Sequence, residues 1–464
     1  MLRTKTGDEI YGNWSLDMSS PLSARWVSSS QASLLMLLLV ACGFPRPGDL
    51  PGADATVPGD TTEPGLVVHV SPTGDDGNDG LAAPVKTIKH AIGIAAANPE
   101  INRIVLASGT YSATSGETFP YTVPSKVTIA GPAGGGAILS GTKTEPAMTV
   151  NEGGLQDLDL QDFTTAIIVT GMTSLKNIRV LTSMLAVQAE TAARLMVDNL
   201  SVAGTAGSCA TGIVLNGGAQ LTAVTVAMRN LGVTLDARDQ SATDIAGANI
   251  SGDVACSTGL MSVISTGSFV LSDSLLDGGI SGIGILAKSP SFQATISNTI
   301  VRNMKITALG GFPSSPGSFH MIGGELSNTN GDAIQLGVGT WTFTGVTIRQ
   351  NKGIALYVQD GRLVMRDCTV TDNGLGINLF MNATADLGTA TSNGNNVIQG
   401  NGSVGVSLDC FAATTVDAIG NTWNANVQGT NGAGKYVTTA TIPGPVATAS
   451  GNNFSIFDGC NLSR

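Results

Sequence analysis

The chain has 464 residues, and 60 of them are glycine, close to twice the usual share. Charged residues make up 12% and aromatics 5%, with a formal net charge of −11, which gives no footing for nucleic-acid or anionic-membrane binding through clustered Lys and Arg. Gly and Asn tolerate φ > 0, so a chain rich in them, with Thr, Ser, Val, Ile and Leu between, is set up for many short strands joined by tight turns. A helical bundle is excluded.

The first strongly apolar run is Leu34 to Ala41. It is far short of the ~20 residues that span a bilayer, but suits the core of a signal peptide. The run ends Leu39-Val40-Ala41-Cys42-Gly43, which resembles a bacterial lipobox. The resemblance implies removal of residues 1–41, acylation of Cys42, and attachment to the membrane through that lipid. Gly43 in place of Asp leans, by the same resemblance, towards the outer membrane and cell surface. Asp8, Glu9 and Asp17 are foreign to a signal peptide, whereas a start at Met18 leaves Arg25 ahead of the apolar run. Residues 42–65, rich in Pro, Gly and Asp, cannot bury a core and read as a disordered tether.

Ordered structure is expected from residue 66, with a cap and first coils over 66–150. Val67 to Val70 has a strand pattern, followed by Gly74-Asp75-Asp76-Gly77-Asn78-Asp79-Gly80. This loop is oxygen-rich and tightly turned, so Asp75, Asp76, Asn78 and Asp79 are calcium candidates, although Asp and Asn also simply make turns. Ile88, Ala91, Ile92 and Ala95 recur at helical spacing, and Asn98-Pro99 would end that helix. The strand Arg103-Ile-Val-Leu-Ala-Ser-Gly-Thr-Tyr111 follows. This order over Val67 to Ser140 resembles the DUF1565 segment that begins bacterial pectate-lyase-like β-helix proteins, and it implies a helix plugging the N-terminal end of a solenoid.

From residue 151 to 464 the chain reads as repeats with a C-terminal cap. An Asn, a Gly soon after and then alternating aliphatics appear at Asn230, Asn330, Asn351, Asn373 and Asn401. Ile348, Val370 and Ile398 stand three residues before three of these asparagines. Each coil therefore has a strand, an Asn-containing turn and a second strand with inward aliphatics at period two. The unit is too short for a propeller blade and lacks the leucine-rich consensus. The fold class expected is all-β: a right-handed, single-stranded parallel β-helix, the hand following from the preference of parallel connections. Stacked Asn side chains would form a ladder at the turn, with Asn in the left-handed conformation. A β-sandwich with incidental Asn-Gly turns is the competing arrangement.

Export makes disulfides possible. Cys209 and Cys256 stand in the same local motif two coils apart, which alone would leave them ~10 Å from each other. Both turns are longer than the intervening one at Asn230, so the loops can fold over it and meet. The pairs expected are Cys209–Cys256 and Cys410–Cys460, the latter tying down the tail. Cys368 reads as a buried apolar residue.

Pectate lyases and polygalacturonase-like hydrolases of this fold resemblance require convergent acids, with a base for the lyases. Gly331-Asp332-Ala333-Ile334 carries only one Asp of the hydrolase motif, Asn298-Thr299-Ile300 lacks its acid, and His320 has no acidic neighbour in sequence. Asp332, Lys352 and Asp372, from successive turns, are the best catalytic candidates, and they could line up along the axis. Arg302, Arg349, Arg362 and Arg366 are further bases, while Trp341, Tyr357 and Trp423 are the candidate sugar platforms. The reading that follows is a lipid-anchored surface protein that binds polysaccharide or another surface partner without cleaving it and needs no cofactor beyond the calcium candidate. A calcium-dependent polysaccharide lyase and a ligand-free spacer are the alternatives.

Overall fold

The computed structural model describes residues 66–424, apart from 254–255, 257–258, 280–281, 290–292, 312–316, 390, 403–405, 411–415 and 418–419, together with the strand Phe454–Ile456. Cys42, Cys460 and the leader and tether lie outside the described residues, as do the side chains of Cys410 and Trp423.

The coil that begins at Asp332 is representative. Asp332–Leu336 forms one strand of a 14-stranded sheet. Gly339–Thr344 and Thr347–Arg349 then form two strands of a 24-stranded sheet, bent between them at Gly345. Ile354–Gln359 begins the next coil, in parallel register with Asp332–Leu336 through Ile334↔Leu356 and Leu336↔Val358. Period-two alternation buries Ile334, Leu336, Leu356 and Val358, and Gln335, Tyr357 and Gln359 face outward between them. Among the described residues, successive coils pair by parallel ladders from Leu66–Val70 onwards. The fold is the parallel β-helix expected from the repeats, and the β-sandwich is excluded.

Two columns of left-handed residues turn the chain. In the mid-sheet bend, Asp157, Asn177, Asn199, Asp273, Asn298, Asp367 and Asn395 all have positive φ, and Gly247, Gly323, Gly345 and Gly420 take the same conformation elsewhere in the column. Asn177 Nδ2 donates to Asp157 Oδ1 over 2.8 Å, and Asn199 Nδ2 to Asn177 Oδ1 over 3.0 Å. The second column leads each coil into the next, through Asp162, Thr182, Asn230, Asn303, Asn328, Gln350 and Asp372.

The asparagine ladder is present but differs from expectation in its conformation. Asn351, Asn373 and Asn401 stand one residue after the left-handed position and are buried. Asn351 Nδ2 donates to Asn373 Oδ1 over 2.8 Å, and Asn373 Nδ2 to Asn401 Oδ1 over 3.1 Å. Asn230, by contrast, is itself left-handed, with φ of 55°. Between the left-handed residue and the start of the next strand the later bend holds three residues, 351–353, against two, 231–232, after Asn230, and the inward asparagine is the first of the three. Asn396 and Asn421 build a second ladder inside the mid-sheet bend.

The helix α1 (Ile88–Ala97) buries Ile88, Ala91 and Ala95, and the Thr87 side chain accepts from His90 N–H at its start. It packs against Tyr121–Val123, the end strand of the 14-stranded sheet, and so covers that end of the apolar interior. Glu117 accepts from Ile88 N–H at the helix start and from the Tyr121 hydroxyl.

Cys209 and Cys256 form the expected disulfide, with Cα atoms 5.6 Å apart. The loops meet over the Asn230 bend, where Gly232 leaves no room: a Cβ there would lie 3.0 Å from the Cys209 carbonyl oxygen. Asp253 fastens the pair of loops by accepting from Gly207 N–H over 2.6 Å. Cys368 is buried, and burial pushes its thiol up to about 11.

Candidate functional site

The outward face of the 14-stranded sheet holds an aromatic pair in its C-terminal half. Tyr357 and Gln359 alternate with the buried Leu356 and Val358, and Phe380 follows the buried Ile377, Asn378 and Leu379. The register Gln335↔Tyr357↔Asn378 places two amides on either side of the phenol, and Gln359↔Phe380 sets the second ring diagonally across. The two rings stack with centroids 6.1 Å apart and planes 28° apart. Both are half-buried, so one ring face is supported by the sheet while part remains open to solvent. Asp332 steadies this surface: its Oδ2 accepts from Gln335 Nε2 over 3.0 Å, and its Oδ1 from Ile354 N–H over 2.7 Å.

The three catalytic candidates do not converge. Asp332 starts a strand at the register position of Ile354, and its two oxygens are engaged in the hydrogen bonds just given. Lys352 is exposed within the bend of the next coil. Asp372 holds the left-handed position of the bend after that, equivalent to Gln350. They occupy three different positions of the turn, so the axial alignment expected from their spacing is not formed.

The remaining bases are drawn into ion pairs between neighbouring coils. Arg302 meets Asp277 at 2.9 Å, Arg349 meets Glu325 at 2.9 Å, and Arg366 meets Asp386 at 2.7 Å, with Arg362 at 3.8 Å from the same Asp386. Burial raises the Asp277 carboxyl, but the hydrogen bonds from Asn303 and Arg302 outweigh it and hold it below the ordinary carboxylate range. His320 faces outward between Thr295 and Thr342. Trp341 is a core residue, 2% exposed, and its indole N–H donates to Gly337 C=O over 2.9 Å. Of the sugar platforms read from the sequence, Tyr357 is the one that the described structure presents outward; its partner Phe380 was not foreseen. A period-two count from Leu379 would have found it.

The Asp-rich loop is a set of turns. Asp76 accepts from Lys86 and Thr87 N–H and from the Thr87 hydroxyl, which ties the loop to the start of α1. Burial pushes its carboxyl up, but these three bonds prevail and lower it. Asp79 accepts from Ala82 and Leu81 N–H, which lower its carboxyl. Asp75 accepts from Gly77 N–H, and Asn78 donates to Pro84 C=O. Each candidate ligand thus serves a different backbone group, and among the described residues no His, Cys, Asp or Glu group of three or more could hold a metal.

A second outward feature is an open groove of about 460 Å³ near the N-terminal end, beneath Gly134–Gly136. Asp157, Asp159, Asn177, Arg179, Asn199 and Ser201 supply its polar floor. Arg179 meets Asp159 through both Nε and Nη2. The sequence signal for it was the run Gly131-Pro-Ala-Gly-Gly-Gly136.

Comparison with solved structures returns other proteins of β-helix type at low identity. The periplasmic alginate epimerase AlgG is 11% identical with a TM-score of 0.43, over 70% of this chain and 85% of that one. The A-module of the Azotobacter vinelandii mannuronan C-5 epimerase AlgE4 is 14% identical with a TM-score of 0.33, over 78% of this chain and all of that one. The catalytic domain of a GH87 α-1,3-glucanase is 12% identical with a TM-score of 0.40, over 86% of this chain and 69% of that one. No curated protein matches the chain. The family described as "Protein of unknown function (DUF1565)" matches residues 72–428, most of the sequence and nearly the whole of the described solenoid, and the chain belongs to that family.

Proposed function

We propose that this protein is a lipid-anchored cell-surface β-helix that binds glycan on the outward face of its 14-stranded sheet and does not cleave it. One observation carries the reading: Tyr357 and Phe380 stack on the outward face on adjacent coils, with Gln335 in register with Tyr357 and Gln359 in register with Phe380. A sugar ring offers an apolar C–H face to an aromatic and hydroxyls to flanking amides, and this surface offers both partners. Cleavage needs an acid or base aimed at the bond together with stabilisation of the developing charge, whereas Asp332, Lys352 and Asp372 stand apart. The Leu39-Val40-Ala41-Cys42 run supports the anchor. The test is a glycan array probed with the full chain and with Tyr357→Ala/Phe380→Ala, each with and without calcium. Binding that falls at least tenfold in the double variant, at unchanged thermal stability, supports the reading. Equal binding by both chains overturns it.

A further inference from the structure

We infer that the groove beneath Gly134–Gly136 is a second, independent binding site, and that its ligand is a neutral, hydroxyl-rich molecule: a residue or two of an uncharged glycan. The site is built by an exception to the repeat. In most coils the mid-sheet bend turns on a single left-handed residue, such as Asn177 or Gly345, and one later coil also carries an insertion here, between Thr384–Asp386 and Val397–Gln399. Between the strands Val127–Ala130 and Ala137–Ser140 it is instead a six-residue loop, Gly131 to Gly136. The loop is held at its base, because a Cβ on Gly131 would come within 2.2 Å of the Asp157 carbonyl oxygen. It is also held at its far end, where Gly136 C=O accepts from Gly109 N–H over 2.8 Å. Gly134, Gly135 and Gly136 have φ of 89°, 94° and 109°, and the Cβ positions of the first two face open space. The rim is therefore bare backbone, in a conformation that side-chain-bearing residues avoid.

The floor beneath the loop is polar. Along one register column, Asp159, Arg179 and Ser201 lie beneath the groove, and the column continues as Ala227, Asn249, Leu275, Ile300, Glu325 and Thr347. The bend column beside it reads Asp157, Asn177 and Asn199 under the loop, then Thr225, Gly247, Asp273 and Asn298. A left-handed bend accounts for Asp or Asn in the second column, and Asp159–Arg179 is a cross-coil ion pair like Asp277–Arg302; what the six-residue loop adds is a roof over these polar groups. The volume lies within the ~300–1,000 Å³ range of small-molecule sites.

Charge selects the ligand class. The floor holds two carboxylates and one guanidinium, and Asp159 engages that guanidinium through two of its nitrogens. An acidic sugar would meet net negative charge, while hydroxyls find carboxylate and amide acceptors alongside N–H donors.

The experiment uses the full chain carrying Tyr357→Ala and Phe380→Ala, so that only the groove reports. Cellobiose, maltose, laminaribiose, xylobiose and digalacturonate are titrated against it by calorimetry and saturation-transfer NMR. At least one neutral disaccharide should bind, more tightly than digalacturonate. Ser201→Trp, which fills the groove, and Arg179→Lys, which keeps the charge but loses the two-pronged contact, should each weaken it at least tenfold. If Ser201→Trp fails to fold, Arg179→Lys decides alone. No binding by any neutral sugar, tighter binding of digalacturonate, or affinity unmoved by the folded variants would overturn the assignment, whatever the fate of the Tyr357 face.

Discussion

Replacing Asn373 by alanine should weaken the solenoid far more than replacing its neighbour Asp372. Asn373 is 2% exposed. Its Nδ2 donates to Ile348 C=O at 3.1 Å, Thr371 C=O at 3.0 Å and Asn401 Oδ1 at 3.1 Å. Its Oδ1 accepts from Asn351 N–H at 3.2 Å and from Asn351 Nδ2 at 2.8 Å. Truncation leaves the buried Asn351 N–H without its acceptor, a loss of about 1–3 kcal/mol, and removes bonds worth ~1 kcal/mol each where the partners keep other contacts. The total is roughly 3–5 kcal/mol. Asp372→Ala removes an exposed side chain and strains one left-handed position, about 1 kcal/mol. Because a solenoid unfolds by neighbouring repeats, the assay is native-state hydrogen exchange at the Asn351 and Asn373 bends, supported by urea midpoints. Comparable exchange rates in Asn373→Ala and Asp372→Ala would refute the ladder's stabilising role.

Peptide mapping without reductant should recover Cys209 linked to Cys256, and reduction should destabilise the chain by about 4 kcal/mol in the loop-entropy model for a separation of 47 residues; free thiols in exported protein would contradict this. Labelled palmitate should enter the wild type and not Cys42→Ser, and equal labelling of both would remove the anchor. Asp76 and Asp277 have folded-state carboxyls held below the ordinary value of 3.8, so their contribution is present above that value and lost as pH falls through the lowered range. Acid titration of stability should therefore flatten in Asp277→Asn, and an unchanged acid limb would count against the Arg302 pairing.

The solenoid was legible because its grammar is local and repeated. Ile348, Val370 and Ile398 are all buried, at one phase of successive coils. The same period-two count foretold Cys368 inward. Phase within the bends was less legible: Asn230 and Asn351 look alike in sequence, yet one inserted residue moves the second from the left-handed position to the interior. Trp341 could not be assigned from sequence, since an indole alternating with Phe343 marks a strand face without saying which side is the core. Asp332 illustrates the hardest case. A carboxylate that bonds a neighbouring coil's Ile354 N–H resembles, in sequence, one that is kept for chemistry.

The claim that the protein holds glycan without cutting it is tested most directly by following binding and turnover in one sample. The glycan retained on the array is incubated with the full chain, with and without calcium, while absorbance of unsaturated products and new reducing ends are recorded. The account predicts a saturable complex with no product of either kind. Product that accumulates with the wild type, and disappears in a folded Lys352→Ala chain, would contradict it and establish a lyase.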